Sequence, residues 1–126
     1  LLLDNADAHA KNFSFLHLPS STLLTPTYDI VCTAIYPQLS TALAMEFGGV
    51  SLVSQITEDN FRKAAEEAGM NYTALKPSAR TIASKVLEAF DYEVKVNDLP
   101  ANTEETITAM RQVIEQNQSA ILNALQ

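Results

Sequence analysis

Apolar residues recur with two different periods along this chain, and the change falls at Ile56. Beyond it, Phe61, Ala64, Ala65 and Ala68 stand at i, i+3, i+4 and i+7, the spacing of one helical face. Thr57 suits the N-cap of that helix, and Gly69 suits the position just past its end, where the backbone turns left-handed. A longer helix is expected from about Ser78, with Ala79, Ile82, Ala83, Val86, Leu87 and Phe90 along one side and Pro100 beyond its end. The last helix takes Asn102 or Thr103 as its cap and Glu104 and Glu105 in its first turn. Its inner face carries Ile107, Met110, Ile114, Ile121 and Leu125. Glu66, Glu67, Glu88, Glu104, Glu105 and Glu115 are expected to face water.

From Phe13 to about Ser54 the pattern favours short strands and turns instead. The stretch "FSFLHL" alternates in part, "PSS" supplies a turn and "TLLTPTYDIV" returns, which predicts a hairpin. A second short pair is expected where "TALAMEF" and "VSLVSQ" flank Gly48 and Gly49. The expected architecture is α+β and mostly helical, in one domain over 1–126: loops and short strands over 1–55 and a helical bundle over 56–126.

At 126 residues the chain is long enough to bury an apolar core. No apolar run approaches the roughly 20 residues that span a bilayer, and "LLLDN" has no basic leader, so a soluble, cytoplasmic protein is expected. Cys32 is the single cysteine, which excludes an internal disulfide. Its apolar setting, "DIVCTAIY", suggests a buried, inert thiol. The net charge of −7, with eight scattered basic residues, argues against direct nucleic-acid binding. A chain that opens on Leu inside an apolar segment reads as part of something longer.

Chemistry concentrates at the amino end. Phosphoryl transfer from ATP needs a carboxylate to accept the acceptor's proton, hard oxygen ligands for magnesium, and positive charge near the moving phosphate. In "DAHAKN", Asp7, four residues and then Asn12 reproduce the spacing of a kinase catalytic loop, in which the aspartate is the base and the asparagine binds metal. His9 and Lys11 lie between them. A second metal-binding carboxylate must come from elsewhere, and Asp29, 22 residues beyond Asp7, follows the predicted hairpin. The sequence "YDI" lacks the phenylalanine and glycine of the D-F-G element. Plainer explanations stand beside these: Asp7 as a surface or turn residue, Asp29 as a turn, His17 as a strand residue, and Asp4 and Asn5 as caps on a preceding apolar helix. A zinc site has too few histidines and no H-E-x-x-H pattern, and no serine sits in a G-x-S-x-G elbow.

The strings "DAHAKNFS", "LTPTYDIV", "LAMEFGG" and "ITEDNFRKAAEEAG", in that order, resemble the C-terminal lobe of the HipA family of bacterial toxin kinases. The resemblance covers residues 1 to 70 and extends to the later helices only as a generic helical lobe. It implies a serine/threonine protein kinase of a type II toxin–antitoxin system, using ATP and Mg²⁺. Such toxins phosphorylate aminoacyl-tRNA synthetases, cause growth arrest or persistence, and are restrained by a HipB-like DNA-binding antitoxin. Carried over by position, Asp7 becomes the base and Asn12 and Asp29 the magnesium and nucleotide ligands, with His9 and Lys11 orienting groups or stabilising charge. The chain departs from the family in having no phosphate-cradling loop and no strand lysine ahead of the catalytic loop. The N-terminal lobe is therefore expected to be missing, and this piece alone is expected to be inactive. Two rival readings stay open: a non-catalytic lobe that binds an antitoxin or another partner, and a lobe of a small-molecule kinase.

Overall fold

A computed structural model describes residues 1–126. It is mostly helical, with one small antiparallel sheet. β1 (Phe15–Leu18) and β2 (Ser21–Leu24) pair as a hairpin, Phe15 opposite Leu24 and Leu18 opposite Ser21. Three 3₁₀ turns, over Ala10–Asn12, Thr33–Ile35 and Val53–Gln55, shape the rest of the first half. α1 (Glu58–Glu67), α2 (Tyr72–Val96) and α3 (Glu104–Ala124) make up the second. No helix is long and apolar enough to cross a membrane.

α1 begins and ends where its terminal residues require. Asn60 Oδ1 accepts from the Thr57 backbone N–H at 2.9 Å and from its hydroxyl at 2.7 Å, closing the first turn. At the other end the Met70 N–H reaches the Ala65 carbonyl and the Gly69 N–H the Glu66 carbonyl. This Schellman arrangement requires a left-handed residue, and Gly69 supplies it at φ +64°.

α2 starts at Tyr72, six residues before the expected Ser78. Asn71 caps it by accepting from the Thr73 and Ala74 N–H groups, so initiation is satisfied upstream of Pro77. Pro77 therefore sits in the second turn and removes one hydrogen bond without ending the helix. The expected second strand pair is absent. Gly48 (φ +55°) and Gly49 (φ +88°) reverse the chain so sharply that Phe47 and Val50 form an isolated bridge, after which Val53 turns inward.

α3 runs back along α2. Arg111 holds Asp91 in a two-pronged ion pair at 2.9 and 3.0 Å, Gln118 donates to the Ala83 carbonyl at 2.6 Å, and Arg80 donates to the Leu125 carbonyl. Val53, Ile56, Phe61, Ala83, Ile121 and Leu125 form the core, with Phe47 edge-on to Phe61 at 4.9 Å. Ile114 is buried as well, and Ile107 and Met110 are half-buried, so the inner face expected for the last helix is the one observed. The six glutamates expected in water are all exposed. The turns at Thr33–Ile35 and Val53–Gln55 pack on α3, which seats the first half of the chain on the helical layer.

Candidate active site

The polar cluster at the amino end folds as a tight loop facing the segment that follows β2. Its 3₁₀ turn over Ala10–Asn12 is closed by Asn12, whose Oδ1 accepts from the His9 N–H at 3.1 Å. The other end of the same carboxamide leaves the loop: Asn12 Nδ2 donates to Asp29 Oδ2 at 2.6 Å across 17 residues. Two of the residues singled out from the sequence thus meet side chain to side chain. Together they carry three oxygens of the kind that hard cations prefer.

Asp7 lies on the same loop with its side chain 69% exposed. His9 Nε2 stands 3.8 Å from Asp7 Oδ1, and His9 Nδ1 is buried with no hydrogen-bond partner. Lys11 is exposed, and its carbonyl accepts a 2.7 Å bond from the Tyr28 hydroxyl, which also contacts Ser14 Oγ at 2.7 Å. A cavity of about 280 Å³ opens beside the loop, with Asn5, Asn12 and Asp29 among its polar lining and Leu2, Tyr28 and Ile30 among its apolar lining. His17 lies apart from the loop and pairs across the hairpin with Thr22 Oγ1 at 3.0 Å.

Asn5 follows the opening turn, which the Asp4 N–H closes on the Leu1 carbonyl at 2.9 Å. It is buried, its Oδ1 accepts from the Asp7 N–H at 3.1 Å, and its Nδ2 donates to the Asp29 carbonyl at 3.2 Å. Sequence reasoning missed that second role. The N-x-D spacing signals the first, since asparagine commonly bonds the amide two residues on, and nothing local marks the bond to Asp29. Thr33 was missed too, and nothing in "VCTAI" marks it. Its hydroxyl donates to the Asp4 carbonyl at 2.8 Å and accepts from the Ala6 N–H at 2.7 Å.

Asp4 and Asp29 are the two non-glycine residues with positive φ, at +51° and +55°. Backbone strain of this kind collects at sites where the surroundings hold it in place. Burial pushes the Asp4 carboxyl above its ordinary value. Cys32 is buried, and desolvation pushes its thiol above the ordinary value.

The largest cleft, about 600 Å³, lies elsewhere, beside α1 and α2, and includes Glu58, Arg62, Tyr72, Lys76 and Arg80. Its charges serve one another. Glu58 Oε1 accepts from Arg62 at 2.7 Å, the Tyr72 hydroxyl at 2.9 Å and Lys76 at 3.3 Å, while Lys76 and Arg80 donate to the last carbonyls of the chain. This network latches helices together. Asn12 and Asp29, which the sequence singles out, line the smaller cavity instead.

Loop, hairpin and returning aspartate on a helical layer define the class to which the chain belongs. The profile of the HipA-like C-terminal domain matches residues 1–94, and the chain is a member of that family. It is 33% identical over 89 residues to the candidate kinase Y4mE of Sinorhizobium fredii, covering 71% of this chain and 21% of that protein. It is 49% identical over 45 residues to the serine/threonine-protein kinase toxin HipA of Shewanella oneidensis, covering 36% of this chain and 10% of that one. The chain thus spans about a fifth or less of the length of these curated relatives. A solved structure of Shewanella oneidensis HipA with HipB and operator DNA superposes with a TM-score of 0.73, over 98% of this chain and 28% of that one. At 23% identity, this likeness speaks for the fold.

Proposed function

We propose that this chain is part of the C-terminal lobe of a HipA-like serine/threonine protein kinase and supplies the catalytic base and the metal-binding side chains. The observation that carries the reading is the 2.6 Å contact between Asn12 and Asp29, beside the loop that presents Asp7. Asp7 accepts the proton of the acceptor hydroxyl as that oxygen bonds to the γ-phosphorus of ATP and ADP leaves with the bridging oxygen. Its exposure suits this role, because a base must reach a hydroxyl arriving from outside the loop. His9, 3.8 Å from Asp7, orients the carboxylate, and Lys11 contributes positive charge.

The donor set fits Mg²⁺. Turning the Asn12 carboxamide over would bring its oxygen alongside the Asp29 carboxylate, at the expense of its bond from the His9 N–H. When bound, the ion neutralises charge on the phosphates. A cavity of about 280 Å³ lies at the small end of ligand pockets, so further walls of the nucleotide site are proposed to come from an N-terminal lobe outside these residues. An aminoacyl-tRNA synthetase as protein substrate and a HipB-like antitoxin as partner belong to the same proposal. The first rests on the family resemblance; the second is also supported by a structural neighbour solved together with HipB.

Phosphate transfer to protein by the full-length enzyme tests the reading. Asp7→Ala should lower the rate roughly 100- to 10,000-fold, the usual contribution of a general base. Full activity in that variant would overturn the assignment, and transfer to small alcohols in place of protein would redirect it to a small-molecule kinase.

A further inference from the structure

Asn5 and Thr33 are the two buried polar residues of the chain, at 9% and 7% exposure, and both sit at one junction. Their bonds cross. Asn5, on the loop, donates to the carbonyl of Asp29 on the returning segment; Thr33, on the returning segment, donates to the carbonyl of Asp4 on the loop. The residues whose carbonyls they hold are the two aspartates with left-handed backbone. Each buried donor therefore fastens one strained residue on the opposite strand of chain, and each side-chain oxygen also takes a loop amide, Asp7 N–H for Asn5 and Ala6 N–H for Thr33.

We propose that Asn5 and Thr33 are positioning residues that set the separation of Asp7 from the Asn12–Asp29 pair, an inference that rests on the kinase reading above. Left-handed backbone in a residue with a side chain persists only where its surroundings over-determine it. The Asp29 side chain is steered by the direction of its own backbone, so releasing its carbonyl frees the carboxylate to swing from Asn12. Releasing Asp4 lets the loop slide against the segment that carries Asp29. Hydrogen bonds suit this task because they are directional, whereas apolar packing tolerates sliding. Groups that orient a metal's ligands are worth roughly 10- to 100-fold in affinity or activity, and both side chains fall into that class.

The test uses the full-length protein, with Mn²⁺ as the probe and binding read from the loss of its free electron paramagnetic resonance signal in the presence of ADP. Thr33→Val keeps the shape and removes the hydroxyl, Thr33→Ser keeps the hydroxyl, and Asn5→Ala removes the other arm. Thr33→Val and Asn5→Ala should weaken Mn²⁺ binding roughly 10- to 100-fold, and Thr33→Ser should bind as the unaltered protein does. Should Asn5→Ala not fold, the isosteric Thr33→Val decides. Unchanged Mn²⁺ binding in Thr33→Val, alongside a loss in Asp29→Asn, would overturn the clamp and leave the kinase assignment standing. Unchanged binding in Asp29→Asn would overturn both.

Discussion

The two halves of this molecule are held by different forces. In residues 56–126 the interior is apolar: Ile56, Phe61, Ala65, Ala83, Ile114, Ile121 and Leu125 are buried while the charged groups face outward. In residues 1–55 the buried apolar side chains are Cys32 and Val53, and Phe15, Leu16, Leu23 and Leu24 of the hairpin are each more than half exposed. Val53, with Phe47 and Val50 packed beside it, anchors this half to the apolar core, and what fixes the polar loop itself is a small set of directional bonds around Asn5, Thr33, Asn12 and Asp29. Apolar burial makes a layer stable with little regard to fine geometry, whereas hydrogen bonds make a loop exact at little gain in stability. Substitutions in the two halves should therefore separate function from fold.

The sharpest break comes at Asp29. Asp29→Asn keeps a residue that tolerates the left-handed backbone but removes the charge that faces Asn12. Phosphotransfer by the full-length protein should fall at least about 100-fold, while urea denaturation shows a stability within about 0.5 kcal/mol of the original. Ile121→Ala should behave in the opposite way. Its side chain is 3% exposed at the centre of the core, and truncation should cost about 2–5 kcal/mol with activity per folded molecule unchanged. A loss of activity per folded molecule in Ile121→Ala would mean that the helical layer also sets the site.

Gly48 sits where the halves meet. Its carbonyl accepts from Asn60 Nδ2 at 3.0 Å, its φ is +55°, and an added Cβ would overlap the Asn60 carbonyl oxygen. Gly48→Ala should cost about 1–3 kcal/mol, from left-handed strain and from backbone displacement. A thermal melt measures it, and a cost near zero would show that the loop half can shift on α1 without penalty.

The same contrast decides what could be read in advance. α1 was legible to the residue because its cap, its apolar stripe and its terminal glycine are all local. α2 was not, since Pro77 looks like a barrier in sequence, and the Asn71 cap that starts the helix upstream becomes decisive once Tyr72 and Lys76 meet Glu58. "VSLVSQ" carries strand-like residues, yet Gly48 and Gly49 divert it before a ladder can form. In the site, Asp7 and Asn12 belong to one short loop and announce themselves by spacing. The return of Asp29 to that loop was legible from the intervening hairpin, and the structure brings it against Asn12. Thr33 was out of reach, because its meaning lies in the carbonyl it holds on a loop 29 residues away.

The smallest expected effect sharpens the comparison from the helical side. The Tyr72 hydroxyl first, then Lys76, bond Glu58 and hold its carboxyl below the usual glutamate range, with the charges of Lys76 and Arg62 adding to the effect. A carboxyl depressed in the folded state contributes stability that is present above its unfolded value of about 4.3 and is lost as pH falls through the folded one. Glu58→Gln keeps an acceptor for Tyr72 and removes that linkage. Near neutrality it should unfold slightly more easily than the unaltered chain, and the gap should close as acid protonates Glu58 in the latter. Exposure and salt keep the effect small, so the informative quantity is the slope of stability against pH, followed by urea denaturation from about pH 6 down to pH 3. Equal slopes would mean that α1 and α2 are joined by packing alone, which would bring the helical half still closer to a purely apolar layer.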